Sequence, residues 1–68
     1  MKNLKTYKEN GYNYKYIVIA NGHSENPNYS LYYTRKEAEK GNENKFNCQG
    51  DVLTLRQAAE EYPENFKY

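Results

Sequence analysis

From Tyr12 to Ala20 the chain alternates without a break. Tyr12, Tyr14, Tyr16, Val18 and Ala20 fall on one side; Asn13, Lys15, Ile17 and Ile19 fall on the other. A period of two built from aromatic and β-branched residues is the pattern of a β-strand. Its second half is apolar on both sides, which places that half at the centre of a sheet. The run also exposes the problem the chain must solve. It holds three of the nine tyrosines in a sequence of 68 residues that has only ten Leu, Ile, Val and Phe. So few aliphatics would suit a disordered chain, but disorder also goes with a high net charge, and here that charge is +1. The tyrosines therefore decide the class. At least half of them are expected to be substantially buried, or else covered by a partner, with the hydroxyls left at the rim.

The flanking segments supply the other elements. Residues 1–11 are polar and basic, with only Leu4 and Tyr7 apolar, and are expected to form a flexible or loosely attached arm. Asn21 to Asn28 contains Asn–Gly and Asn–Pro pairs, which favour turns. Tyr29 to Tyr33 alternates again, with Tyr29, Leu31 and Tyr33 on one side, and predicts an antiparallel partner for the first strand. Thr34 and Glu37 have the spacing of a capping box that opens a helix, Arg35 and Glu39 stand at i,i+4, and Gly41 is the expected C-cap. Ala38 is the one apolar residue of that helix, so its docking is expected to be weak. Lys45 to Gln49, with Phe46 and Cys48 on one side, predicts a further strand, and Gly50–Asp51 a turn. Thr54 and Gln57 repeat the capping box, flanked by Leu53 and Ala58. Leu55, Ala58, Ala59 and Tyr62 then make one helical stripe that Pro63 ends. Residues 63–68 are a C-terminal tail whose rings, Phe66 and Tyr68, are expected to lie back on the body.

The expected fold is one small α+β domain over residues 1–68. It has an antiparallel sheet of three to four strands and two short helices, in the order β-β-α-β-α. The helix at 54–62 covers one sheet face, and the other face is expected to be partly open.

Several classes of function are disfavoured. One cysteine, Cys48, makes no intrachain disulfide, and with one histidine, His23, it is too little for a structural zinc site. No metal or cofactor is expected. The lack of disulfides points to a reducing interior. No apolar stretch follows Lys2, Lys5 and Lys8 to make a secretory signal, and the longest apolar run, Tyr16 to Ala20, is far too short to span a bilayer. A cytoplasmic protein without a membrane partner is expected. Asn, Lys and Tyr supply 27 of the 68 residues, all from A/T-rich codons; with the small size this is the profile of a phage or mobile-element accessory gene acting in a host cytoplasm. A Cys–His nucleophile needs mutual contact and an oxyanion hole, and no motif supplies either. Cys48 is expected to be a small buried strand residue, His23 a solvated loop residue, and the protein not to be an enzyme.

The candidate binding surface is the tyrosine stripe. Tyr12, Tyr14 and Tyr16 project from one strand with Lys15 among them, Tyr29 and Tyr33 are expected beside them across the hairpin, and His23 sits in the joining loop. Tyrosine gives large contact area at low rotamer cost, so the first expectation is a non-enzymatic protein-binding module, an inhibitor or accessory that occupies a host protein. The interleaved lysines give a second expectation, single-stranded or hybrid nucleic acid stacked on the rings. Tyr32–Tyr33–Thr34–Arg35–Lys36–Glu37–Ala38, after a Tyr-Ile-Val strand and before Lys45–Phe46 and the Thr54-capped helix, resembles the small RNA–DNA hybrid-binding domain attached to some ribonucleases H. The resemblance spans about residues 14–62, with Arg35 where that family carries tryptophan, and it implies hybrid binding. A third expectation is self-association, a homo-oligomer or virion component paired through the open sheet face.

Overall fold

A computed structural model describes residues 2–4 and 14–68. The elements follow as β1 (Lys2–Asn3), β2 (Tyr16–Ala20), β3 (Asn28–Tyr32), α1 (Arg35–Lys45), β4 (Asp51–Thr54), α2 (Leu55–Glu61) and β5 (Phe66–Lys67). The three long strands form an antiparallel sheet in the order β3-β2-β4, and two short helices complete the α+β fold in the expected β-β-α-β-α order. β1 and β5 add a small parallel pair, Lys2 against Phe66 and Asn3 against Lys67.

β2 is the central strand, and it is buried on both sides. Ile17, Val18 and Ile19 are all buried. Ile17 and Ile19 point into the main core with Leu4, Leu55, Ala58, Tyr62 and Phe66, and Tyr14, Tyr29, Leu31 and Leu53 pack around its margin. α2 lies on this side. Thr54 accepts from the Gln57 amide at 3.1 Å while the Gln57 side chain accepts from the Thr54 amide at 3.0 Å, so the capping box is complete. Thr54→Ala is expected to cost about 1 kcal/mol in urea denaturation; a cost within error would show that α2 is held by its packing alone.

The opposite sheet face, expected to be partly open, is covered by α1. Val18 and Ala38 are fully buried there. One alanine suffices because the helix approaches through Gly41, where an added Cβ would fall within 2.7 Å of three atoms of the Tyr32 phenol. Gly41 is therefore an interior contact glycine rather than a C-cap. α1 runs on to Lys45 and is capped at Phe46, whose amide donates to the Asn42 carbonyl at 3.1 Å. At the start of α1, Thr34 accepts from the Glu37 amide at 3.2 Å, and its hydroxyl donates to the Glu37 carboxylate at 3.3 Å.

The strand expected over Lys45–Gln49 is the end of α1 and a tight loop. Asn47 and Cys48 both take left-handed backbone, with φ of 50° and 61°. Asn42 ties the loop: its carbonyl accepts from the Cys48 amide at 2.9 Å, and its side chain accepts from the Gly50 amide at 2.8 Å. Cys48 is consequently exposed, not buried on a strand. The third strand is Asp51–Thr54, paired so that Val52 faces Val18 and Leu53 faces Ile17.

Of the arm expected over residues 1–11, only Lys2–Leu4 are described. The Leu4 amide donates to the Lys67 carbonyl at 2.6 Å, and the Leu4 side chain is fully buried. The tail lies back as expected, with Phe66 buried and Tyr68 exposed under the Arg56 guanidinium, 5.1 Å from the ring centroid. No helix among the described residues is long and apolar enough to cross a membrane.

Candidate contact surface

The tyrosines that alternate in sequence do not form one stripe in space. The β2 ladder runs from Tyr16, so Tyr14 lies before the regular pleat and is free of its period. Tyr16 faces the α1 side, opposite Tyr32 on β3 and Thr54 on β4, and is half-buried. Tyr14 turns to the other side and stacks on Tyr33, with centroids 4.7 Å apart and planes at 24°. Tyr29 pairs with Ile19 and faces the main core, edge-on to Phe66 at 5.3 Å and 88°. Tyr12 lies outside the described residues. The structure therefore brings Tyr14 and Tyr33 together, separates both from Tyr16, and uses Tyr29 in packing. Lys15, between the two diverging rings, is exposed, and its amide donates to the Tyr32 carbonyl at 3.0 Å. Among the large apolar side chains of the described residues, Tyr33 has the greatest exposure, at 47%.

His23 belongs to a second arrangement, which joins the β2–β3 loop to the C-terminal segment. Its Nδ1 bonds to the Glu64 carboxylate, and its ring stands edge-on to Tyr62 at 4.8 Å and 66°. Asn65 donates from one amide nitrogen to the carbonyls of Gly22 at 2.7 Å and Ser24 at 2.8 Å. Gly22 is buried under Tyr62, and a Cβ there would meet three ring atoms within 2.6 Å. The Tyr62 hydroxyl in turn donates to the Asp51 carboxylate on β4. Tyr62 is thus the hub: it ends α2, fills the core, seats the loop and reaches the sheet edge.

Two groups titrate abnormally here. The bond to Asp51, with burial adding to it, pushes the Tyr62 phenol up from 10.0 to about 12. A backbone hydrogen bond, reinforced by His23, holds the Glu64 carboxyl below its ordinary 4.5. The signs differ. The raised phenol contributes stability that is complete below pH 10.0 and is lost as pH climbs through about 12. The depressed carboxyl contributes above 4.5, and its share is lost as pH falls through the lowered folded value. Urea midpoints measured across pH are expected to fall at both ends. Tyr62→Phe removes the alkaline fall and Glu64→Gln softens the acid one; an unchanged profile in Tyr62→Phe would mean that the Asp51 bond does not persist in solution.

The sequence places His23 in a solvated loop and gives no sign of Glu64 as its partner. Nothing local signals that Asn65 reaches Gly22 and Ser24 or that Tyr62 reaches Asp51, in contacts that join positions up to 43 residues apart. Among the described residues no three His, Cys, Asp or Glu side chains are grouped to hold a metal ion. The chain matches no protein-family model, no curated protein and no solved structure.

Proposed function

We propose that this chain is a non-enzymatic protein-binding module, of the accessory or inhibitor kind carried by phages and mobile elements, and that it engages a host protein through the end of its sheet at Tyr14, Lys15 and Tyr33. One observation carries the reading: the exposed Tyr33 ring is held in a stack with Tyr14 beside the edge strand β3. A ring already fixed by stacking loses little freedom on binding, and tyrosine suits a contact that is half apolar and half wet. An edge strand also offers backbone groups to an extended partner segment. The surface is narrower than the sequence implies, because Tyr29 is engaged in the core and Tyr16 sits on the α1 side.

The test has two steps. Tagged chain is used to recover partners from host lysate, and the recovered protein is purified and titrated against parent and Tyr33→Ala. Loss of a central aromatic anchor is expected to weaken binding by about 2 kcal/mol or more. The urea midpoint of Tyr33→Ala is expected to change little, by about 0.5 kcal/mol, as for an exposed position. Full affinity in Tyr33→Ala would overturn the assignment of the surface.

A second reading is supported by Lys15, a cation exposed beside the same stacked pair. Rings with a neighbouring cation suit unpaired bases of single-stranded or hybrid nucleic acid. In that case a mobility shift appears without any protein partner and weakens steeply as salt is raised.

A further inference from the structure

The Asn21–Gly22 pair carries chemistry beyond its turn. In an Asn–Gly sequence the glycine nitrogen can attack the preceding side-chain amide, because glycine has no Cβ to screen it. The Gly22 nitrogen bonds to Cγ of Asn21 and loses its proton, and ammonia leaves, closing a five-membered succinimide. Water then opens the ring. Addition at Cγ gives aspartate; addition at the main-chain carbonyl gives isoaspartate, with the backbone routed through the former side chain. One water is consumed and one ammonia released, and no other reactant is needed.

The structure exposes this pair and also restrains it. Asn21 is exposed, with left-handed backbone at φ 57°. The peptide plane from Asn21 to Gly22 must turn to bring its nitrogen onto the Asn21 side chain. Its carbonyl is held by two bonds, from the Ser24 amide at 3.0 Å and the Ser24 hydroxyl at 2.7 Å. The next plane is held through the Gly22 carbonyl by Asn65 at 2.7 Å. Gly22 itself is wedged under the Tyr62 ring, where an added Cβ has no space. Turning the first plane therefore requires the 62–65 segment to lift.

We propose that Asn21–Gly22 is a self-modification site latched by the C-terminal segment. While the latch is closed the amide is preserved. When it opens, the succinimide forms, and the isoaspartyl product cannot re-seat, because its extra backbone methylene shifts Gly22 out of register with Tyr62 and Asn65. The change also adds a negative charge two residues from His23, so the modified loop presents a different surface.

The experiment incubates the full chain at neutral pH, folded and in denaturing urea, and follows Asn21 by mass spectrometry. Trypsin separates it, in peptide 16–35, from the other Asn–Gly pair, Asn10–Gly11, in peptide 9–15. Folded protein is expected to convert Asn21 far more slowly than denatured protein. Asn65→Ala is expected to speed the folded rate roughly tenfold, the equivalent of about 1.4 kcal/mol, which is the scale of one to two hydrogen bonds. Glu64→Gln, which alters only an exposed side chain that ties the C-terminal segment to His23, is expected to act in the same direction and decides the matter if Asn65→Ala does not fold. Equal rates in folded and denatured protein overturn the proposal, as does a folded Asn65→Ala, or in its place Glu64→Gln, that converts no faster than the parent.

Discussion

Replacing Phe66 with alanine is expected to destabilise the fold by about 3–5 kcal/mol, the usual cost of emptying a buried phenylalanine site. In a domain this small such a loss is a large fraction of the whole, so much of the population should be unfolded in water. The position is two residues from the end of the sequence, where substitutions are ordinarily harmless. Here the ring is 1% exposed, packs with Leu4 in the main core and meets Tyr29 edge-on. Losing it leaves a cavity that Leu4 and Tyr29 are poorly placed to fill, since Leu4 is fixed by the β1–β5 pairing and Tyr29 by the β2–β3 ladder. Urea denaturation measures the cost. A loss below about 1 kcal/mol, within the range of surface substitutions, would show that the tail is not part of the core.

The second large effect is expected at Gly22. Gly22→Ala places a methyl group within 2.6 Å of three atoms of the Tyr62 ring. That ring is constrained by its core packing and by the Asp51 bond, so it cannot swing clear without losing both. Overpacking of this kind costs about 1–3 kcal/mol. The cause is checked by a double-mutant cycle. Tyr62→Ala alone is expected to cost about 3–5 kcal/mol. In that background Gly22→Ala has room, and its own cost should largely vanish, giving a coupling of about 1–3 kcal/mol. Additive costs would place the strain of Gly22→Ala in the backbone rather than against the ring.

Much of the fold is legible in the residues because much of it is local. Thr54 and Gln57 announce α2 by side-chain chemistry three residues apart, and the Leu55, Ala58 and Tyr62 stripe says which way the helix faces. The alternation of Tyr16 to Ala20 gives the central strand and its two-sided burial. What fails is whatever depends on a distant neighbour. Gly41 looks like a helix end, and only the Tyr32 ring pressed against it explains why α1 continues. Phe46 and Cys48 alternate like strand residues, but the hydrogen bonds that Asn42 accepts from the Cys48 and Gly50 amides bend that stretch into a loop. β4 is hidden for a local reason, since Asp51 and Val52 follow a turn glycine and precede a helix cap, with no alternation of their own.

The site is less legible than the fold. A period of two assigns faces only while the strand lasts, and β2 begins two residues after Tyr14. The Tyr14 ring was therefore free to cross to the Tyr33 side, and the expected stripe divided between two faces. Alternation puts Tyr29 on the candidate surface stripe, but the ring it meets, Phe66, lies 37 positions on. The latch of His23, Gly22 and Ser24 onto Glu64, Tyr62 and Asn65 has no local signature, because each half looks like ordinary loop.

The parallel pairing of β1 with β5 bears on the order of events in folding. Lys2 and Phe66 are partners across nearly the full length of the sequence, whereas the β2–β3 hairpin joins residues that follow one another closely. Closing a long loop carries a higher entropic cost than closing a short one, and contacts between distant positions slow the search. The hairpin and α2 can assemble early, but β1 has no strand partner until residues 66 and 67 have been made. During synthesis the first residues therefore wait while everything between them and their partner is threaded out. Joining these two distant margins of the core is therefore expected to be a late step of folding rather than its nucleus.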